Sequence, residues 1–174
     1  MSCLGVFFGI DEKTVQILKE MDRSDIVEYV QEDIEEIYFT TEQHINPCVE
    51  VDKAWDAIQR AFSEGECDLA NVRGSYPSNM IILGGEILYG DKEKEDDYII
   101  SLKNPTEVID VYKFLSELSE AEFRELYFKI DTEKYGFDVD EQDFEYTWTW
   151  LSGTVPFWKC VSEKNISVIF TVDQ

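Results

Sequence analysis

The sequence predicts one folded domain of mixed helix and strand, residues 1–174, and three observations carry that prediction. Apolar runs of strand length stand near both ends, CLGVFFGI (residues 3–10) and ISVIFTV (residues 166–172). Between them, apolar residues recur with helical period in successive stretches. The chain has 174 residues, 44% of them apolar, with four tryptophans, which is enough for a domain that buries about 70% of its unfolded surface.

The elements follow in order. CLGVFFGI reads as a buried strand ended by Gly9 and the turn-forming Asp11. In DEKTVQILKEM, Val15, Leu18 and Met21 keep helical spacing, and Asp11 and Glu12 stand at the positive end of the helix dipole. A second helix is expected from Asp22, with Ile26, Val30, Ile34 and Ile37 inward and a uniformly acidic stripe, Asp25, Glu28, Glu32 and Glu36, on another side. Residues 40–50 read as a loop with a turn at Asn46-Pro47, after which Asp52 is expected to cap a helix. That helix turns Ala54, Trp55, Ile58, Ala61 and Phe62 to one side and ends at Gly65.

Met80-Ile81-Ile82-Leu83 reads as a strand running into a double-glycine turn, Gly84-Gly85. Residues 91–97, DKEKEDD, contain no apolar side chain and read as an exposed loop, followed by a strand over YIISL. Asn104 with Pro105 opens a helix through Val108, Val111, Tyr112 and Leu115. Ser119 and Glu122 form a capping box for the next. The last long helix starts near Asp140, points Phe144, Trp148 and Leu151 inward, and is broken at Gly153 and Pro156. Phe157 to Lys164 resumes it, with Asn165 as a left-handed terminus before ISVIFTV, which is expected to pair near the N-terminal strand.

Charge is the strongest bulk signal. Thirty-eight acidic against fifteen basic side chains leave −23, and every third of the chain shares the excess. Such a surface repels nucleic-acid phosphates and anionic lipid, so neither nucleic acid nor membrane is an expected partner. A basic protein is the partner it would attract. No apolar run approaches the roughly 20 residues that span a bilayer, and no basic residue precedes the first apolar run, so a cytoplasmic location is expected. Cys3, Cys48, Cys67 and Cys160 show no paired spacing and read as reduced, mostly buried thiols.

Motifs with chemistry are few. Gly85, four residues and Gly90 reproduce the glycine spacing of a phosphate-binding loop, but Asp91 stands where the lysine is required, so no nucleotide is expected there. His44 is the single histidine and with Cys48 supplies only two candidate ligands, short of a zinc site. DVDEQDFE lacks the glycine of a calcium loop and reads as helix-start acids. No cofactor and no metal are expected.

Three segments resemble a known family. VEVDKAWDAIQRAFSEG is similar to the D-K-x-W helix of the YfbM-like family, a bacterial domain of unknown function, and ILGGEILYGD to its L-G-G-E turn. The aromatic-rich C-terminal helix leading into ISVIFTV resembles its closing elements. The resemblance implies an α+β fold, several helices packed on a small mixed or antiparallel sheet with the N- and C-terminal strands central. Its matching signature positions are Asp52, Lys53, Trp55, Gly84, Gly85 and Glu86. The chain departs from the family where a histidine is usual in the D-K-x-W helix, which here offers Asp56 and Gln59, and where KEKEDD replaces a glycine-rich run.

The favoured expectation is a non-catalytic module that binds a basic protein, for example an immunity-type inhibitor of a basic toxin or nuclease. Its partner-binding candidates are Asp25, Glu28, Glu32 and Glu36 on the second helix and Asp91, Glu93, Glu95, Asp96 and Asp97 in the acidic loop. The alternative is an enzyme acting on a small molecule, with Glu86 beside the double glycine as acid or base and Asp52 or Tyr89 assisting.

Overall fold

The computed structural model of the chain describes residues 4–37, 47–90 and 98–173. Its two terminal apolar runs become neighbours inside one sheet. β1 (Gly5–Ile10) pairs antiparallel with β5 (Ser167–Asp173), placing Phe7 opposite Phe170. β2 (Cys48–Asp52) adds to the far edge of β1. β4 (Tyr98–Lys103) lies on the other side of β5, and β3 (Glu86–Tyr89) forms the second edge. The order among the described residues is β2-β1-β5-β4-β3, every pairing antiparallel. With helices on both faces, the protein is α+β.

Alternation along the strands divides the core in two. On one face Phe8, Ile10, Ile100, Leu102 and Ile169 meet α1 (Glu12–Glu20) and α2 (Ile26–Tyr29), which continues into a π-helical turn, Val30–Glu35. The opposite face carries Phe7, Ile99, Val168, Phe170 and Val172 against the larger helical layer. That layer comprises α3 (Trp55–Phe62), α4 (Pro105–Glu117), α5 (Glu120–Tyr127), α6 (Thr132–Tyr135), α7 (Glu141–Gly153) and α8 (Val155–Lys164). The Phe7 ring lies 5.2 Å from both Trp158 and Phe170, so the side chains that register the terminal strands also lock them to α8. Aromatic pairs of this kind add about 0.5–1.5 kcal/mol beyond their burial.

Local signals set most helix ends. Asp11 accepts from Thr14 N–H at 2.8 Å and Asp140 from Asp143 N–H at 2.9 Å. Asn104 with Glu107 and Ser119 with Glu122 form reciprocal capping boxes. α7 ends at Gly153, α8 carries Pro156 in its first turn, and Asn165 closes it at φ +52°.

Several segments differ from the sequence-based expectation. The loop expected over 40–50 lies outside the described residues as far as residue 46, and Cys48–Asp52 is a strand, held by pairing with β1 that no local pattern encodes. Asp52 does not cap α3: it ends β2 at φ +49°, and Ala54 occupies the cap position without a side-chain bond. Met80–Leu83 is not a strand, because a 3₁₀ turn (Ser78–Met80) leads into further turns and extended structure begins only at Glu86. Ile37 is 50% exposed, since the wider π turn rotates the inward stripe and brings Glu35 toward the sheet instead. The four-residue α6 has no counterpart in the sequence reading. Cys48, Cys67 and Cys160 are only half-buried rather than mostly buried, and Cys3 lies outside the described residues.

Candidate functional site

The double-glycine turn is built by contacts only glycine permits. A side chain on Gly84 would meet Asn79 O at 2.3 Å, and Gly85, at φ +103°, would drive one into Leu102 O at 2.2 Å. Gly85 and Gly90 bracket β3, whose residues pair with β4, so the four residues between them run as extended strand rather than as a loop of converging N–H groups. A groove of about 560 Å³ runs beside the turn, with Met80, Leu83 and Ile87 as apolar wall and Arg23 as its charged member. Arg23 donates to Gly90 O at 2.6 Å and stacks 5.2 Å over the Tyr89 ring.

Lys103 lies under this turn, fully buried and invisible to motif reading. Its amine donates to Ile82 O and to Ser101 Oγ, and Ser101 Oγ donates to Ile82 O at 2.9 Å. Gln59, also buried, accepts from Leu83 N–H at 3.0 Å. These side chains satisfy the backbone of the 81–83 segment in place of a strand ladder. Burial holds the Lys103 amine well below the usual lysine range, opposed only in part by the Glu107 carboxylate.

The structure does not gather Glu86, Asp52 and Tyr89 into one site. Glu86 is exposed at the edge strand β3 and pairs with Lys19 at 2.7 Å. Asp52 ends β2, the opposite edge, four strand spacings or roughly 19 Å away across the sheet. The Asp52 carboxylate instead accepts from Tyr146, whose hydroxyl is pushed up to about 12 by burial and then by that bond. Tyr89 lies on β3 with Glu86 but serves as the platform for Arg23.

On α2 and its π turn, Asp25, Glu28, Glu32 and Glu36 are all exposed. Asp25, Glu28 and Glu32 enter no ion pair among the described residues. Asp91, Glu93, Glu95, Asp96 and Asp97, like His44, lie outside the described residues. Among the described residues Glu35 and Asp143 point inward, and neither is distinguishable in sequence from its acidic neighbours. Glu35 accepts from Tyr98 and, at 3.0 Å, from Thr171. Asp143 accepts from both Tyr127 and Tyr135, whose hydroxyls are pushed above the usual tyrosine range by burial first and by Asp143 second. No group of three or more histidine, cysteine, aspartate or glutamate side chains is positioned to hold a metal among the described residues. No helix among them is long and apolar enough to cross a membrane.

Comparison with known proteins places this arrangement. The model of a family described as a domain of unknown function, DUF1877, matches residues 1–171. The crystal structure of YfbM from Escherichia coli, itself titled a protein of unknown function, superposes with a TM-score of 0.68 over 97% of this chain and 99% of that one. At 14% identity the likeness is one of fold. No curated protein matches the sequence.

Proposed function

Because the chain belongs to the DUF1877 family, whose description assigns no activity, we propose from its own surface that it is a non-catalytic binding module for a basic protein. An immunity-type inhibitor of a basic toxin or nuclease is the form of this function that fits a net charge of −23. The observation that carries the reading is the α2 stripe, Asp25, Glu28, Glu32 and Glu36, exposed along its whole length. Like charges at such spacings each cost a few tenths of a kcal/mol, and a protein needing acidity only for solubility could distribute them without that cost. On sequence grounds Asp91, Glu93, Glu95, Asp96 and Asp97 form a second acidic surface for the same partner.

Association would be steered by the long-range field and would weaken with salt. The enzymatic alternative has less support. Its leading candidate Glu86 is 54% exposed and ion-paired, and Asp52 lies across the sheet from it. The reading is tested by capture from host lysate at about 50 and about 300 mM NaCl. Wild-type protein is compared with a variant carrying Asp25→Asn, Glu28→Gln, Glu32→Gln and Glu36→Gln. A basic protein retained by wild type at low salt, released at high salt and missed by the variant is the expected result. Retention of no salt-sensitive basic protein, or equal retention by both, would overturn it.

A further inference from the structure

One hollow in this acidic molecule is lined by more cations than carboxylates. At the C-terminal end of α3, a cavity of about 510 Å³ is lined by Arg60 and Lys129 against one carboxylate, Glu64. Over the whole chain acids outnumber bases 38 to 15. Two further cations stand close by: Lys134, paired with Glu66 at 2.6 Å, and Arg73, whose charge reaches the same carboxylate. The inner wall is apolar, formed by Phe62, Phe114 and Leu126, with the two phenylalanine rings edge-on at 5.6 Å.

The geometry holds this hollow open in a fixed shape. Gly74, at φ +92°, lies so close to Phe62 O that any side chain there would clash at 1.9 Å, which seats the 74–78 loop against the end of α3 as the facing wall. Arg60 is fixed from two sides, its Nε on Asp56 at 2.6 Å and its Nη1 on Gly65 O at 3.2 Å. Those bonds take up Nε and Nη1 on different sides of the guanidinium and compensate the carbonyl end of α3, while Nη2 has no hydrogen bond among the described residues. A concave site of several hundred Å³ with an apolar wall and a few convergent charges suits a small molecule rather than a protein surface.

We infer that the Arg60–Lys129 hollow binds a small organic anion, a carboxylate, sulfonate or phosphate ester carried on an aromatic or branched apolar body. The head group meets Arg60 and Lys129, and the body lies on Phe62, Phe114 and Leu126. This site is separate from the α2 stripe and responds to salt in the opposite direction. The overall −23 field repels an anion, so screening it strengthens binding, whereas a basic partner is released.

The test is a fluorescence titration of the full chain with anilinonaphthalene sulfonate, an aromatic monoanion, beside its neutral counterpart N-phenylnaphthylamine. The wild-type chain should bind one equivalent of the sulfonate, more tightly at about 200 than at about 20 mM NaCl. Lys129→Glu reverses an exposed charge at the mouth and should weaken the sulfonate about tenfold while leaving the neutral dye unchanged. Ser75→Trp, on the exposed facing loop, should occlude the hollow and weaken both dyes, with the circular dichroism spectrum of each variant as the check on folding. No saturable binding, unchanged affinity in both variants, or equal sensitivity of the two dyes to Lys129→Glu would overturn the inference. Unchanged affinity would place the dye elsewhere, for instance on the exposed Phe128 and Phe137.

Discussion

A neutral amine has two N–H groups, and Lys103 spends both, on Ile82 O and Ser101 Oγ, with no carboxylate in contact among the described residues. The folded amine therefore releases its proton at a pH where the unfolded chain still holds one. Between those two values the unfolded state binds the extra proton, so raising the pH stabilises the fold until the free lysine range near about 10 is reached. The folding constant of the wild-type chain should gain up to about tenfold per pH unit relative to Lys103→Met, read as urea midpoints at neutral and at alkaline pH. Parallel pH profiles for the two proteins would show that the amine stays charged. Two tyrosines hydrogen-bonded to carboxylates act in the opposite sense above that range. Tyr76, raised to about 12 by its bond to Asp110, and Tyr146, raised to about 12 by burial and Asp52, keep their protons in the fold while the unfolded chain loses them. Their stabilisation is complete below about pH 10 and is lost as the pH rises beyond it. Tyr127→Phe, which removes one of the two hydroxyls on Asp143, should cost about 1 kcal/mol in denaturant unfolding and reduce that alkaline loss.

At the level of elements, two glycines with similar backbone angles separate strain from space. Gly65 (φ +86°) has nothing within 4 Å of an added side chain, whereas Gly85 (φ +103°) would meet Leu102 O at 2.2 Å. Gly65→Ala should cost about 1–2 kcal/mol, and Gly85→Ala distinctly more because β4 must also move. Thermal unfolding of the pair checks the order, and equal costs would mean that the double-glycine turn yields freely. The same contrast explains what was legible in sequence. Asn104-Pro105, Ser119 with Glu122, Asp140 and Asn165 act through neighbours three or four residues away, so the helices they bound can be read locally. β2 exists because β1 pairs with it, and the turns at 81–83 exist because Gln59, Ser101 and Lys103 reach them from 18 or more residues away in sequence. The α2 stripe is visible as a pattern. That Glu35 turns inward beside it depends on the π turn, which shifts the register by one residue. Neutralising Glu28 and Glu32 together should raise stability by about half a kcal/mol, since the stripe repels itself. A loss of stability instead would mean that those carboxylates support the fold.

For the whole molecule, the −23 charge surrounds a fold in which the inward Glu35 and Asp143 are bonded to hydroxyls and burial pushes the Lys103 amine well below the usual lysine range. Self-repulsion of the outer charges opposes compaction, so the melting temperature should climb as NaCl is added and level off once the Debye length falls to a few ångströms. A melting temperature indifferent to salt would indicate that ion pairing has already neutralised the field. The binding account asks more of that field than tolerance. Its most direct test is the association rate constant between this protein and the basic protein it retains from its host, measured across about 20 to about 300 mM NaCl for the wild-type chain and the four-site α2 variant. The account predicts a steep fall with salt for the wild type and a slower, flatter profile for the variant. Coincident profiles, or a wild-type rate that ignores salt, would contradict it.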